Sequence, residues 1–87
     1  MPLAVRKGDT GSHGGEIITG SGNVFVEGKE AARKGDIYAC PRHGPNQIVE
    51  GSSDTIINGR KAVRHGDKAA CGASMISGAT KTYINGE

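Results

Sequence analysis

Tryptophan is absent from this sequence, and Phe25, Tyr38 and Tyr83 are its only aromatic residues. Leu, Ile, Val and Phe together number 15 of 87 residues. That shortage excludes a large conventional core. Composition this poor signals disorder only when it accompanies high net charge. Here 11 basic and 9 acidic side chains leave a net charge of +2. One small domain spanning residues 1–87, with no extension domain, is expected, and a domain so short of core residues relies on a staple. The candidates are a metal, a disulfide or a partner chain.

Other absences exclude whole classes of function. No apolar run approaches the roughly 18 residues that a membrane-spanning helix needs. The N-terminal segment MPLAVRKGDTG lacks the apolar stretch of a secretory signal, so no signal peptide is expected. There is no basic stripe and little for bases to stack on, so no nucleic-acid partner is expected. The P-loop pattern GxxxxGK[ST] is missing. No Ser-His-Asp or Cys-His arrangement with an orienting third group can be assembled, so no catalytic residues are expected and the chain is not read as an enzyme.

What the sequence does have is glycine, 15 of 87 residues. Glycines at short intervals punctuate turns and disfavour helix interiors. Of the 14 Ile, Val and Leu residues, 13 are β-branched, which favours strands. No window shows a sustained helical period. The expected fold class is all-β.

A repeat organises the chain. GSGNVFVEGKEAARKGD at 20–36 aligns without a gap on GSSDTIINGRKAVRHGD at 51–67. GATKTYINGE at 78–87 matches the first half of this unit, and PLAVRKGD at 2–9 matches the second half. A unit divided between the ends implies closure, with the last strand beside the first and pseudo-threefold symmetry. Gly28, Gly59 and Gly86 follow Glu27, Asn58 and Asn85, and such Asn-Gly-like pairs between strands predict type I′ hairpins. Each unit therefore reads as a hairpin, for example 23–26 with 29–33, followed by a loop. Alternation places Val26, Ile57 and Ile84 on one face, near the pseudo-axis, and Phe25, Ile56 and Tyr83 on the other. Asp9, Asp36 and Asp67 read as turn caps for backbone N–H groups. Arg6, Arg33 and Arg64 are expected to pair with acids or loop carbonyls, in exposed contacts that individually stabilise little.

The loops after each Gly-Asp carry the unusual residues. His13, Cys40 and Cys71 each lie four positions after the Asp of their unit. His43 closes Cys40-Pro41-Arg42-His43, and His65 directly precedes Gly66-Asp67. If the hairpins converge, these five side chains converge at one end. Imidazole and thiolate are preferred zinc ligands, and their deprotonated forms make such a site acid-sensitive. Free thiols and a Cys40–Cys71 disulfide remain open alternatives. The disulfide would need an oxidising compartment.

PLAVRKGD, GKEAARKGD and GRKAVRHGD, with His13-Gly14-Gly15 and the two GSxxVxxNG-like half-units, resemble the Pro-Ala-Ala-Arg (PAAR) repeat across essentially the whole chain. The signature proline is replaced by Glu30 and Lys61, and its second alanine by Val63 in one unit. The resemblance implies a small conical structure of short hairpins that tips the spike of a type VI secretion system. It would cap the trimeric β-helix of the valine-glycine-repeat spike protein, VgrG, with one tip per trimer. It also implies one structural zinc, with iron as a possible substitute, held by three His and one Cys. Carried over, these are His13, His43 and His65 with Cys71, and Cys40 as the alternative to Cys71 because it shares a loop with His43. The free chain would be a monomer, could carry effector cargo, and would meet the target membrane only through puncture. It would be loaded in the bacterial cytoplasm and then secreted with the spike. A tip adaptor on another phage-like contractile injection spike is the competing reading, and a small zinc hydrolase is a more distant one.

Overall fold

The computed structural model describes residues 3–76, 78–79 and 81–84. Among them there is no helix. The strands are β1 (Glu16–Ile17), β2 (Phe25–Val26), β3 (Lys29–Glu30), β4 (Ile37–Cys40), β5 (Gly44–Gln47), β6 (Ile56–Ile57) and β7 (Arg60–Lys61). All pairings are antiparallel, in one sheet of order β1-β4-β5 and two hairpins, β2-β3 and β6-β7.

The hairpin turns follow from their sequence. Glu27 and Gly28 have φ of 51° and 84°, and Asn58 and Gly59 have φ of 53° and 80°. Positive φ at both central positions is the type I′ signature, whose twist matches that of the flanking strands. The third expected turn, at Asn85 and Gly86, lies outside the described residues, as does Pro2.

A closed ring of backbone hydrogen bonds ties the three units. The Val5 amide donates to the Val63 carbonyl at 3.1 Å, the Ala32 amide to Val5 at 3.0 Å, and the Val63 amide to Ala32 at 3.1 Å. Around this ring Ala4 pairs with Arg64, Ala31 with Arg6, and Ala62 with Arg33. The termini close as the divided repeat implies. Leu3 bridges Tyr83, and the Ala4 amide donates to the Thr82 carbonyl at 2.8 Å. Overall extents of 29 × 24 × 24 Å suit an internal threefold about the long axis.

Alternation along the ring segments divides a thin core into two layers. Ala4, Ala31 and Ala62 face the hairpin side, packed with Val26, Ile57, Ile84 and Ala79. Val5, Ala32 and Val63 face the opposite side, with Ile17, Tyr38, Cys40, Ile48, Ala69, Ala73 and Met75. Phe25, Ile56 and Tyr83 are more than half exposed, so the two strand faces are as expected.

The Arg–Asp sets differ from expectation in one respect. Each Asp caps the amide of its own Arg at 2.7 Å and accepts a two-pronged guanidinium bond, for Arg33–Asp36 at 3.0 and 2.9 Å. These pairs are not exposed. Asp9, Asp36, Asp67 and Arg64 are all buried, because the ring brings each Arg-x-Gly-Asp turn under its neighbour. Buried and doubly bonded, the partners depend on one another, and removing either leaves the other charge buried and uncompensated. The Asp36 carboxyl shows this balance. Burial pushes its pKa up, but donation from the Arg33 side chain and amide and from Thr19 outweighs burial and holds it below the usual value.

Candidate metal centre

Three loops meet on the side of the ring opposite the hairpin turns. The first spans 10–15 and carries His13. The second is the β4-β5 turn, with Cys40 at its start and His43 just before Gly44. The third spans 68–74 and carries Cys71. The tight approaches depend on glycine. Gly14, Gly15, Gly44 and Gly72 all have positive φ. A Cβ at Gly15 would collide with the Ala39 carbonyl oxygen, and one at Gly11 would press into the Tyr38 ring.

The loops are tied pairwise. The Ser12 amide donates to the Ser74 carbonyl at 2.7 Å, and the Ser74 amide to Ser12 Oγ at 2.9 Å. Tyr38, fully buried, donates its hydroxyl to the Gly14 carbonyl. Asn46 on β5 accepts the Cys71 amide on its Oδ1 at 3.1 Å, and the Ala70 amide donates to the Gln47 carbonyl at 2.8 Å. Tyr38 and Asn46 are functional neighbours that sequence reasoning missed. Tyr38 has a legible signal, since it lies two residues before Cys40 and so shares its strand face.

Four donors converge. The Cys40 sulfur stands 3.5 Å from His13 Nδ1 and 3.5 Å from His43 Nδ1, and the Cys71 sulfur 3.8 Å from His13 Nδ1. The ligand atoms of all four residues lie within 4.8 Å of one another. Both cysteines are free thiols, not a disulfide. With zinc–sulfur bonds of about 2.3 Å and zinc–nitrogen bonds of about 2.0 Å, a tetrahedron has sulfur–nitrogen edges of about 3.5 Å. The residues therefore fit a closed Cys2His2 metal site. Burial pushes the Cys40 thiol up, yet the Arg42 amide and the His13 and His43 side chains outweigh it, and its pKa falls to about 6. The site thus favours thiolate, the metal-binding form.

His65 is not part of this group. Of the expected three-His, one-Cys set, the structure brings together His13, His43 and Cys71, adds Cys40 beside them, and leaves His65 outside the group. His65 is exposed, and its Nε2 donates to the Ile76 carbonyl at 3.1 Å. Its position in Arg-x-Gly-Asp matches those of Lys7 and Lys34. All three use their amides on the ring, at Leu3, Glu30 and Lys61, and are exposed.

The fold and the site define a small all-β module with an internal threefold repeat and a four-donor site able to hold a metal where its loops meet. The chain matches the PAAR motif over residues 7–77, and it belongs to that family. No curated protein matches it significantly.

Proposed function

We propose that this protein is the zinc-stapled tip of a contractile secretion spike of the type VI kind, seated on the end of the trimeric VgrG β-helix. The observation that carries the reading is the closed ring of Val5, Ala32 and Val63, in a chain of the PAAR family. One chain with internal threefold order can meet three identical chain ends at once, so the stoichiometry is one tip per trimer and the free tip is a monomer. The contact is the hairpin end, where exposed Phe25, Ile56 and Tyr83 add apolar burial to strand stacking. It also covers strand edges that otherwise invite aggregation.

The opposite end is the point. His13, Cys40, His43 and Cys71 hold one zinc there, which supplies the rigidity a thin core cannot. Two thiolates favour zinc over the iron that a site of three His would admit more readily. The role is structural, with no reaction of its own. The tip is loaded in the cytoplasm and leaves with the spike, carrying any effector cargo with it.

The test is to mix the protein with a VgrG trimer and measure the mass of the complex by light scattering. One tip per trimer is expected. Binding is lost in a Phe25→Glu, Ile56→Glu double variant and kept in Arg42→Glu at the other end. Three tips per trimer, or the reverse pattern of loss, overturns the seating.

A further inference from the structure

The metal centre contains two sulfurs on separate loops, and their exposures differ. Cys40, at 4% exposure, is buried in the core layer, whereas Cys71 is only partly buried on its loop. The sulfurs are within 4.8 Å of each other, and a disulfide requires about 2.0 Å. The loop carrying Cys71 is a short turn closed by the Gly72 amide on the Ala69 carbonyl at 2.9 Å.

We infer that Cys40 and Cys71 are an oxidisable dithiol pair, in which a peroxide forms the disulfide and expels the metal. The inference rests on the zinc reading above. The Cys71 thiolate, the accessible one, attacks the peroxide. A sulfur–oxygen bond forms, the oxygen–oxygen bond breaks, and hydroxide leaves. Cys71 is then a sulfenic acid. The Cys40 thiolate attacks that sulfur, a sulfur–sulfur bond forms, and the second hydroxide leaves. In total, two thiolates, one hydrogen peroxide and two protons give one disulfide and two waters. Two electrons pass from sulfur to oxygen. Zinc leaves as the unchanged divalent ion, because His13 and His43 alone supply neither charge nor a closed set of donors. The tip is thus metal-stapled under reducing conditions and becomes disulfide-linked when it meets peroxide.

The experiment treats zinc-loaded protein with hydrogen peroxide. It follows zinc with a chromogenic chelator and the cysteines by intact and peptide mass spectrometry. The expected result is one zinc released per Cys40–Cys71 disulfide, with zinc rebinding after dithiothreitol. His65→Ala should behave as wild type. Cys71→Ser, loaded with zinc, should form no intramolecular disulfide, and the peroxide-dependent part of its zinc release should fall roughly tenfold. Protein that purifies without metal and takes none up overturns the zinc reading and this inference with it. Zinc-loaded protein that keeps its metal in peroxide overturns the inference alone, as does release with sulfinic acid at Cys71 in place of the disulfide.

Discussion

The Cys40 sulfur stands 3.5 Å from Nδ1 of His13, although 27 residues separate them in the chain. The contact joins repeat-equivalent positions, each four residues beyond an Asp whose carboxylate caps a ring turn. Cys71 is the third such position. The internal threefold thus supplies three donors, and His43, from the β4-β5 turn, supplies the fourth. Purified protein should hold one zinc per chain by elemental analysis. Cobalt substitution should give the intense sulfur charge-transfer band and tetrahedral visible spectrum of two thiolates. His13→Ala should lose the metal, whereas His65→Ala should keep it. Loss of metal in His65→Ala would refute the assignment.

Much of this was legible in the chain. The divided repeat implied closure, and Leu3 bridges Tyr83. Alternation placed Val26, Ile57 and Ile84 in one layer. His65 lies outside the donor group because nearness to Gly66-Asp67 in sequence is not nearness to the loops beyond it. The turn sends that position back to the ring. The burial of the Arg–Asp pairs was not legible either, since it depends on how each turn lies beneath the next unit. Asn46 was invisible for a similar reason: its partner, the Cys71 amide, is 25 residues away and is reached only once β5 is placed.

Acid should weaken the protein in two stages. Without metal, Cys40 has a pKa of about 6, so protons compete with zinc for its thiolate as pH falls from 7 towards 5. The second stage belongs to Asp36. Its folded pKa lies below its unfolded value, so its stabilisation is complete above the unfolded value of about 3.9 and is lost as pH falls through the folded one. Zinc release should therefore precede unfolding. Circular dichroism and metal release followed together across pH check the order. Coincident transitions would show that Asp36 adds no separate step.

The buried pairs should be costly to break. Asp36→Asn removes the charge facing Arg33 and weakens the Thr19 link as well. Removing one partner of a buried pair costs about 3 kcal/mol or more. In a domain of this size that corresponds to a fall in Tm of more than about 10 °C. Exposed Asp54→Asn should change stability by less than about 0.5 kcal/mol. Equal melting temperatures for the two variants would show that burial of the pair carries no special weight.

Tyr38→Phe isolates one hydroxyl. The ring stays in place, but the Gly14 carbonyl loses its donor. The net cost should be about 1 kcal/mol. The more telling readout is zinc affinity, because Gly14 adjoins His13. A few-fold weaker affinity at nearly unchanged fold is expected from competition with a chelator. Unchanged affinity would show that Tyr38 packs the core without orienting the first loop.

Gly14 and Gly15 offer a controlled comparison in that loop. Both have positive φ, 85° and 73°, so alanine at either carries the left-handed backbone cost of roughly 1–2 kcal/mol. The surroundings differ. A Cβ at Gly14 would sit 3.5 Å from Pro41 Cγ, an ordinary contact. A Cβ at Gly15 would drive into the Ala39 carbonyl oxygen and come within 2.9 Å of Pro41 Cδ. Backbone in a paired strand cannot yield cheaply, since Ala39 is held between Glu16 and Pro45 in the sheet. Gly14→Ala should therefore lose only the strain cost and retain zinc. Gly15→Ala must either part β1 from β4 or lift the loop that carries His13. It should lower Tm by roughly twice as much and weaken zinc binding as well. Thermal melts and chelator competition on the two variants decide the matter, and equal losses in both would mean that strain alone, not the Ala39 contact, requires glycine at position 15.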